Sequence, residues 1–168
     1  LLSIKAPLGV YACTGNHEYI GGIELAAQYL TNHGIVLLRD SAVSVKDIIT
    51  IIGREDRSKD RFINGEKRKS LAEIVQTVSP SLPTILLDHQ PAHLEEAEIN
   101  GIDLQLSGHT HNGQLWPVNF ITNRIFEKSY GYLKKGNSQY YVSSGAGTWG
   151  PPIRIGTSSE IVCIKINN

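Results

Sequence analysis

Histidine is the side chain best placed to carry chemistry in this chain. Four of its six histidines fall in one kind of position. His17 follows the apolar run through Tyr11-Ala12-Cys13 and the turn Thr14-Gly15-Asn16. His89 follows Ile85-Leu86-Leu87-Asp88. His109 and His111 follow Leu104-Gln105-Leu106-Ser107-Gly108. Imidazole near neutral pH can ligate a metal through a ring nitrogen or move a proton. In extended chain, residues two apart point to the same side, roughly 6.5–7 Å apart. His109-x-His111 could therefore hold one ion, or one each of a close pair, with Gly108 allowing the turn. His33 and His93 lack this setting. His33 sits near a helix C-terminus, where positive charge is favoured, and His93 begins a short helix.

The elements that must position these residues are short. Leu8–Thr14 reads as a buried strand and Ile23–Leu30 as an amphipathic helix stopped at Asn32-His33-Gly34. Strands are expected at 35–38, 41–45 and 48–52. A helix is expected over 71–78, a strand over 84–87, a helix over 93–99 and a strand over 103–106. The last third reads as β-rich: a hairpin of 130–133 and 139–143 around Lys135-Gly136-Asn137, then a terminal strand over 160–166. Strands alternate with helices early and dominate late. That pattern predicts an α/β (α+β) chain with mixed sheets and helices outside. Strand-end loops on one sheet edge are where such folds place their sites.

Between Arg54 and Lys69 the chain is densely charged. Arg54, Arg57, Lys59, Arg61, Lys67, Arg68 and Lys69 stand against Glu55, Asp56, Asp60 and Glu66, with Phe62 and Ile63 as apolar anchors. It reads either as a solvated loop or as a mobile rim that attracts an anionic substrate. Cys13 and Cys163 make no disulfide framework and read as buried free thiols. Trp116 and Trp149 either wall a pocket or pack. Arg154, beyond a Gly/Trp/Pro loop, is either a phosphate-binding guanidinium or a surface arginine.

Composition sets the outer bounds. With 168 residues, 40% hydrophobic and 19% charged, the chain fits a single domain spanning 1–168. Its 16 basic and 16 acidic residues balance. That argues against a whole-chain electrostatic grip on nucleic acid or an anionic membrane. Its apolar runs are far below the ~20 residues a spanning helix needs. It has no methionine and begins Leu1-Leu2-Ser3 without a secretory pattern, so it is expected to be a piece of a longer protein.

In their order, Gly15-Asn16-His17-Glu18, Asp88-His89 and Gly108-His109-Thr110-His111 resemble the calcineurin-like metallophosphoesterases. The pattern of that family runs D-x-H, G-D-x-x-D, G-N-H-[ED], a loop histidine, then G-H-x-H. The resemblance covers roughly residues 7–166. It implies a two-sheet β-sandwich flanked by helices and a site with two metal ions, manganese, iron or zinc. It also implies roles. Asn16 (through its amide oxygen), His89 and His109 would bind the second metal and His111 the first. His17 would be no ligand but would contact the phosphate or protonate the leaving oxygen. The substrate would be a phosphate monoester or diester, with Arg154 as a weaker candidate for binding it. Glu18 could serve only to start a helix.

Two motifs of that pattern, D-x-H and G-D-x-x-D, are absent from these 168 residues. In the family they supply ligands to the first metal and the aspartate that bridges both. The chain alone is therefore expected to hold at most one weakly bound ion and to show little or no activity, the parent being the enzyme. Missing strands would expose sheet edges, so self-association is expected. Relatives in this subgroup often carry a hydrophobic N-terminal segment, which implies a membrane-tethered parent. Two other readings remain open here: a non-catalytic binding or scaffold module of the same fold, and a one-metal protein using His89, His109 and His111.

Overall fold

The computed structural model describes residues 6–166. β1 (Val10–Cys13) leads through Gly15 into α1 (Asn16–Gly21) and then α2 (Ile23–Asn32). β2 (Ile35–Leu38) returns beside β1, in parallel, as a two-stranded sheet. β3 (Ser41–Val45) and β4 (Ile49–Gly53) form a hairpin. α3 (Lys59–Phe62), α4 (Leu71–Val75), β5 (Thr84–Leu87), α5 (Glu95–Ile99) and β6 (Leu104–Ser107) follow. α6 (Val118–Ile125) precedes the closing hairpin of β7 (Gly131–Lys135) and β8 (Ser138–Val142).

β3 to β8 make one six-stranded sheet in the order β3-β4-β5-β6-β8-β7. Its four central strands are parallel, and the two edge strands run antiparallel to their neighbours. The fold is thus mixed α/β, a six-stranded sheet flanked by helices, with a second, two-stranded sheet beside it. Successive side chains alternate between the faces. Ile52, Leu86 and Tyr140 lie on one face and pack with Leu71 and Ile74 of α4, Ala97 of α5, and Leu94 and Ile102 at its ends. Ser70 fixes the start of α4: its hydroxyl accepts the Glu73 N–H at 3.3 Å while Glu73 returns to the Ser70 N–H at 2.8 Å.

Several expectations change. Residues 160–166 form no strand, because β7 already takes the outer edge of β8 and leaves no ladder for them. Ile161 stays 92% exposed, and Glu160 is tied down instead by the Ser144 N–H at 2.9 Å. Cys163 is accordingly exposed rather than buried. Cys13 is half-buried; burial, with Asp88 and Asp56 nearby, pushes its thiol up to about 12. The charged stretch is not simply a loop. Arg54, Glu55 and Asp56 are buried and α3 follows them. α6, unforeseen in the sequence reading, is a further difference and bears on the site.

The two sheets meet closely at Gly53. A Cβ there would lie 2.3 Å from the Leu38 Cβ and 3.0 Å from the Leu38 carbonyl oxygen. Gly53→Ala is therefore expected to destabilise the fold by about 1–3 kcal/mol through overpacking, read as a lowered urea midpoint at unchanged slope.

Candidate active site

Parallel strands put their carboxyl ends on one edge, and the histidine loops meet there. Gly108 donates its N–H to the His89 carbonyl at 2.9 Å, which ties the loop after β5 to the loop after β6. The end of β1 joins the same edge. Thr14 donates its hydroxyl to Glu55 at 2.9 Å and accepts the Asp56 N–H at 2.9 Å. Gly15 then lets α1 start close against His89: a Cβ at Gly15 would lie 3.2 Å from the imidazole. Glu18 accepts the Gly15 N–H at 2.7 Å, so its part is to start the helix.

Asn16, first in α1, is the meeting point. Its Oδ1 lies 2.9 Å from His89 Nε2 and 3.3 Å from His109 Nδ1. The two rings pack edge to face with centroids 5.1 Å apart, and Phe126 packs edge-on against His109 at 6.2 Å. Among the described residues no group of three His, Cys, Asp or Glu is arranged for an ion. This cluster reaches three donors only by counting the Asn16 amide. Its chemistry nevertheless fits one. Imidazole nitrogen and carbonyl oxygen suit first-row divalent ions, and two donors about 2.1 Å from one ion at right angles stand about 3 Å apart.

His109 and His111 do not sit on extended chain. His109 (φ +67°), His111 (φ +50°), Asn112 (φ +51°) and Gln114 (φ +51°) all take left-handed backbone. A 3-10 turn covers His111–Gly113. Non-glycine residues in this region are strained, and such strain concentrates at functional sites. The loop is held from several sides. The Thr110 hydroxyl donates to the Ser129 carbonyl at 2.6 Å. The fully buried Gln114 grips Trp149 by accepting its N–H at 2.9 Å and donating to its carbonyl at 2.8 Å. The kinked turn sends His109 to Asn16 and His89, while His111 faces Arg154.

Arg154 is absorbed in this support. Its guanidinium donates to the carbonyls of His111 (3.2 Å), Ser144 (2.8 Å), Gly145 (3.3 Å) and Gly147 (2.5 Å). It is not among the residues lining the cleft. Asn16, His17, His109, Thr110 and His111 line a cleft of ≈ 290 Å³ together with Val118, Thr122, Phe126 and Trp149. His33 and His93 stay outside. His33 caps α2, its Nδ1 2.7 Å from the Tyr29 carbonyl, and His93 pairs with Glu95.

Buried charges lie behind the cluster, a feature the sequence reading missed. Asp88, next to His89, pairs with Arg54 at 3.2 Å and Arg68 at 2.9 Å, and Arg54 also meets Glu96 at 2.6 Å. Asp56 accepts both Gln90 amide bonds, at 2.9 and 3.1 Å. Burial lowers the imidazoles nonetheless. His109 falls to about 4, through desolvation first and the neighbouring His89 second. His89 is lowered by desolvation, which outweighs Asp56, and His111 by desolvation and then the Arg154 charge. All three are thereby neutral, with a lone pair to offer, near neutral pH.

A sequence profile of calcineurin-like phosphoesterases matches residues 2–113. The chain belongs to the calcineurin-like phosphoesterase family. It is 36% identical over 168 residues to an uncharacterized metallophosphoesterase of Aquifex aeolicus, covering 99% of this chain and 64% of that protein. It is 35% identical over 171 residues to one of Helicobacter pylori, covering 99% and 45%. It is 32% identical over 173 residues to a bovine (Bos taurus) transmembrane protein with metallophosphoesterase domain, covering 94% and 38%. The chain thus spans less than two thirds of the length of these curated relatives. No solved structure matched. Calcineurin-like phosphoesterases are hydrolases acting on ester bonds and generally use divalent metal ions.

The environment of the site generates two predictions. Asp88→Ala leaves Arg54 and Arg68 buried without their shared carboxylate, and should cost about 3–5 kcal/mol in chemical denaturation. The second concerns pH. The depressed imidazoles take up protons more readily in the unfolded chain, near 6.5, than in the folded one. Their full stability is present above that value and is lost as pH falls through the window toward about 4. With a chelator present, the melting temperature should drop between pH 7.5 and 5, and His109→Gln should shrink the drop.

Proposed function

We propose that this domain supplies one half of a two-metal phosphoester hydrolase site. Asn16, His89 and His109 hold one ion, His111 contributes to the other, and His17 serves the phosphoryl group. The observation that carries this reading is the convergence of His89 Nε2 and His109 Nδ1 on the Asn16 Oδ1 from three separate loops. The ions, manganese, iron or zinc, would supply an activated water and neutralise phosphoryl charge.

The chain's own residues do the rest. Neutral His89 and His109 present lone pairs without first losing a proton. The buried Asp88 and Asp56 cluster keeps the His89 loop in one position. His17, on the first turn of α1 and in the cleft wall, gives its proton to the leaving alcohol oxygen as the ester bond breaks. Phe126 and Trp149 keep bulk water from that oxygen. Arg154 acts by positioning the His111 carbonyl and the 144–147 loop. The 168 residues carry neither D-x-H nor G-D-x-x-D. By themselves they are proposed to bind a single ion weakly and to turn over phosphoesters slowly or not at all; a longer protein carrying both motifs is the active form.

Calorimetric titration of manganese or zinc into the chain should report one site, weakened at least about tenfold by His89→Ala or His109→Ala. In a longer protein with both motifs, His17→Ala should lower turnover of a phosphodiester by about 10²–10⁴ while leaving the titration in place. Metal binding indifferent to His89 and His109 would refute the ligand set. A metal-loaded longer protein without hydrolysis would favour the scaffold reading.

A further inference from the structure

Beside the histidines the cleft lining is apolar, and this apolar surface does not stop at the cleft. On α6, Val118, Ile121, Thr122 and Ile125 share one stripe at helical spacing, and Phe126 extends it. A surface helix ordinarily turns such a stripe to the core. Here no residue of α6 is buried. Val118, Thr122 and Phe126 line the cleft, while Ile121 and Ile125 carry the stripe outward, 58% and 68% exposed. Trp149 also lines the cleft, its backbone pinned by the buried Gln114. Phe126 lies edge-on against His109, so this apolar surface begins at the reacting centre.

An apolar surface that runs unbroken from a phosphoester site to solvent fits a substrate whose alcohol carries a long apolar group. A nucleotide or sugar phosphate would leave Ile121 and Ile125 against water. Charge agrees with this. Arg124 lies on the exposed side of the same helix and Lys128 follows its end. Among the described residues neither takes part in an ion pair. Apolar residues beside cations are what an interfacial helix presents to anionic lipid.

We propose that the site acts on an acylated phosphoester drawn from a lipid surface, the phosphate seated at the histidines and the acyl chain along the α6 stripe. This rests on the phosphoesterase reading for its chemistry. Water adds to phosphorus, the bond from phosphorus to the lipid alcohol oxygen breaks, and that oxygen takes a proton. Binding through the stripe requires no turnover and is tested separately.

The test has two arms on the whole chain. First, flotation with vesicles of phosphatidylcholine and phosphatidylglycerol should recover the wild type, and Ile121→Glu/Ile125→Glu should reduce recovery at least about tenfold. Its melting temperature should stay near wild type, since both side chains are exposed. Second, tryptophan fluorescence should show dihexanoyl phosphatidate, below its micellar concentration, binding at least about tenfold tighter than glycerol 3-phosphate. Failure to float, flotation indifferent to the double substitution, or equal binding of the two phosphates would each overturn the proposal. A dimer that the double substitution dissolves, without flotation, would assign the stripe to a protein contact and overturn it too. Lipid binding without hydrolysis in a metal-loaded longer protein carrying both motifs would instead count against the phosphoesterase reading.

Discussion

The site depends on one convergence, the carbonyl oxygen of Asn16 held between two imidazole nitrogens from distant loops. It is possible because β4, β5, β6 and β8 run parallel and deliver their carboxyl ends to one edge. β1 reaches the same edge through the contacts of Thr14 with Glu55 and Asp56. Three loops far apart in sequence can then be placed within hydrogen-bonding distance by backbone geometry alone. The absence of a side chain at Gly15 allows the last few tenths of an ångström of approach.

That placement is expensive in desolvation, and the surroundings answer it with charge. Carboxylates at Asp88, Asp56 and Glu55 lie just beneath the edge, each with hydrogen-bonding or ionic partners. Buried ion pairs add little net stability over apolar packing, but they fix geometry because breaking one strands its partner. Here they hold the strand ends still while burial keeps the histidines neutral. A neutral imidazole held in place is ready to be a ligand, at the expense of stability in acid.

The support for His111 differs in kind. Arg154 and Gln114 bind mainly backbone, and so brace a run of left-handed residues. The same bracing fixes the backbone of Trp149, which lines the cleft with the histidines. The polar floor and apolar wall of the cleft are therefore parts of one construction, with α6 as its outer side.

Much of this could be read from residue order. Glycine, asparagine and histidine after short apolar runs, with Gly-His-Thr-His last, pointed to family, chemistry and strand-end position, and the alternating pattern located most elements within a few residues. Local signals failed where a neighbour decided the outcome. Residues 160–166 alternate like a strand, yet β7 had taken the only edge open beside β8. Arg54-Glu55-Asp56 reads as solvated, yet the end of β4 carries it inward to partners at 34 and 42 residues' separation. His109-x-His111 implies extended chain, but positive φ at both residues turns the two rings to different tasks. Arg154 looks like a free cation until four carbonyls surround it. Residue type and spacing fix which atoms are available to bind, donate or accept. Which of them meet depends on long-range pairing, whose energy no local window contains.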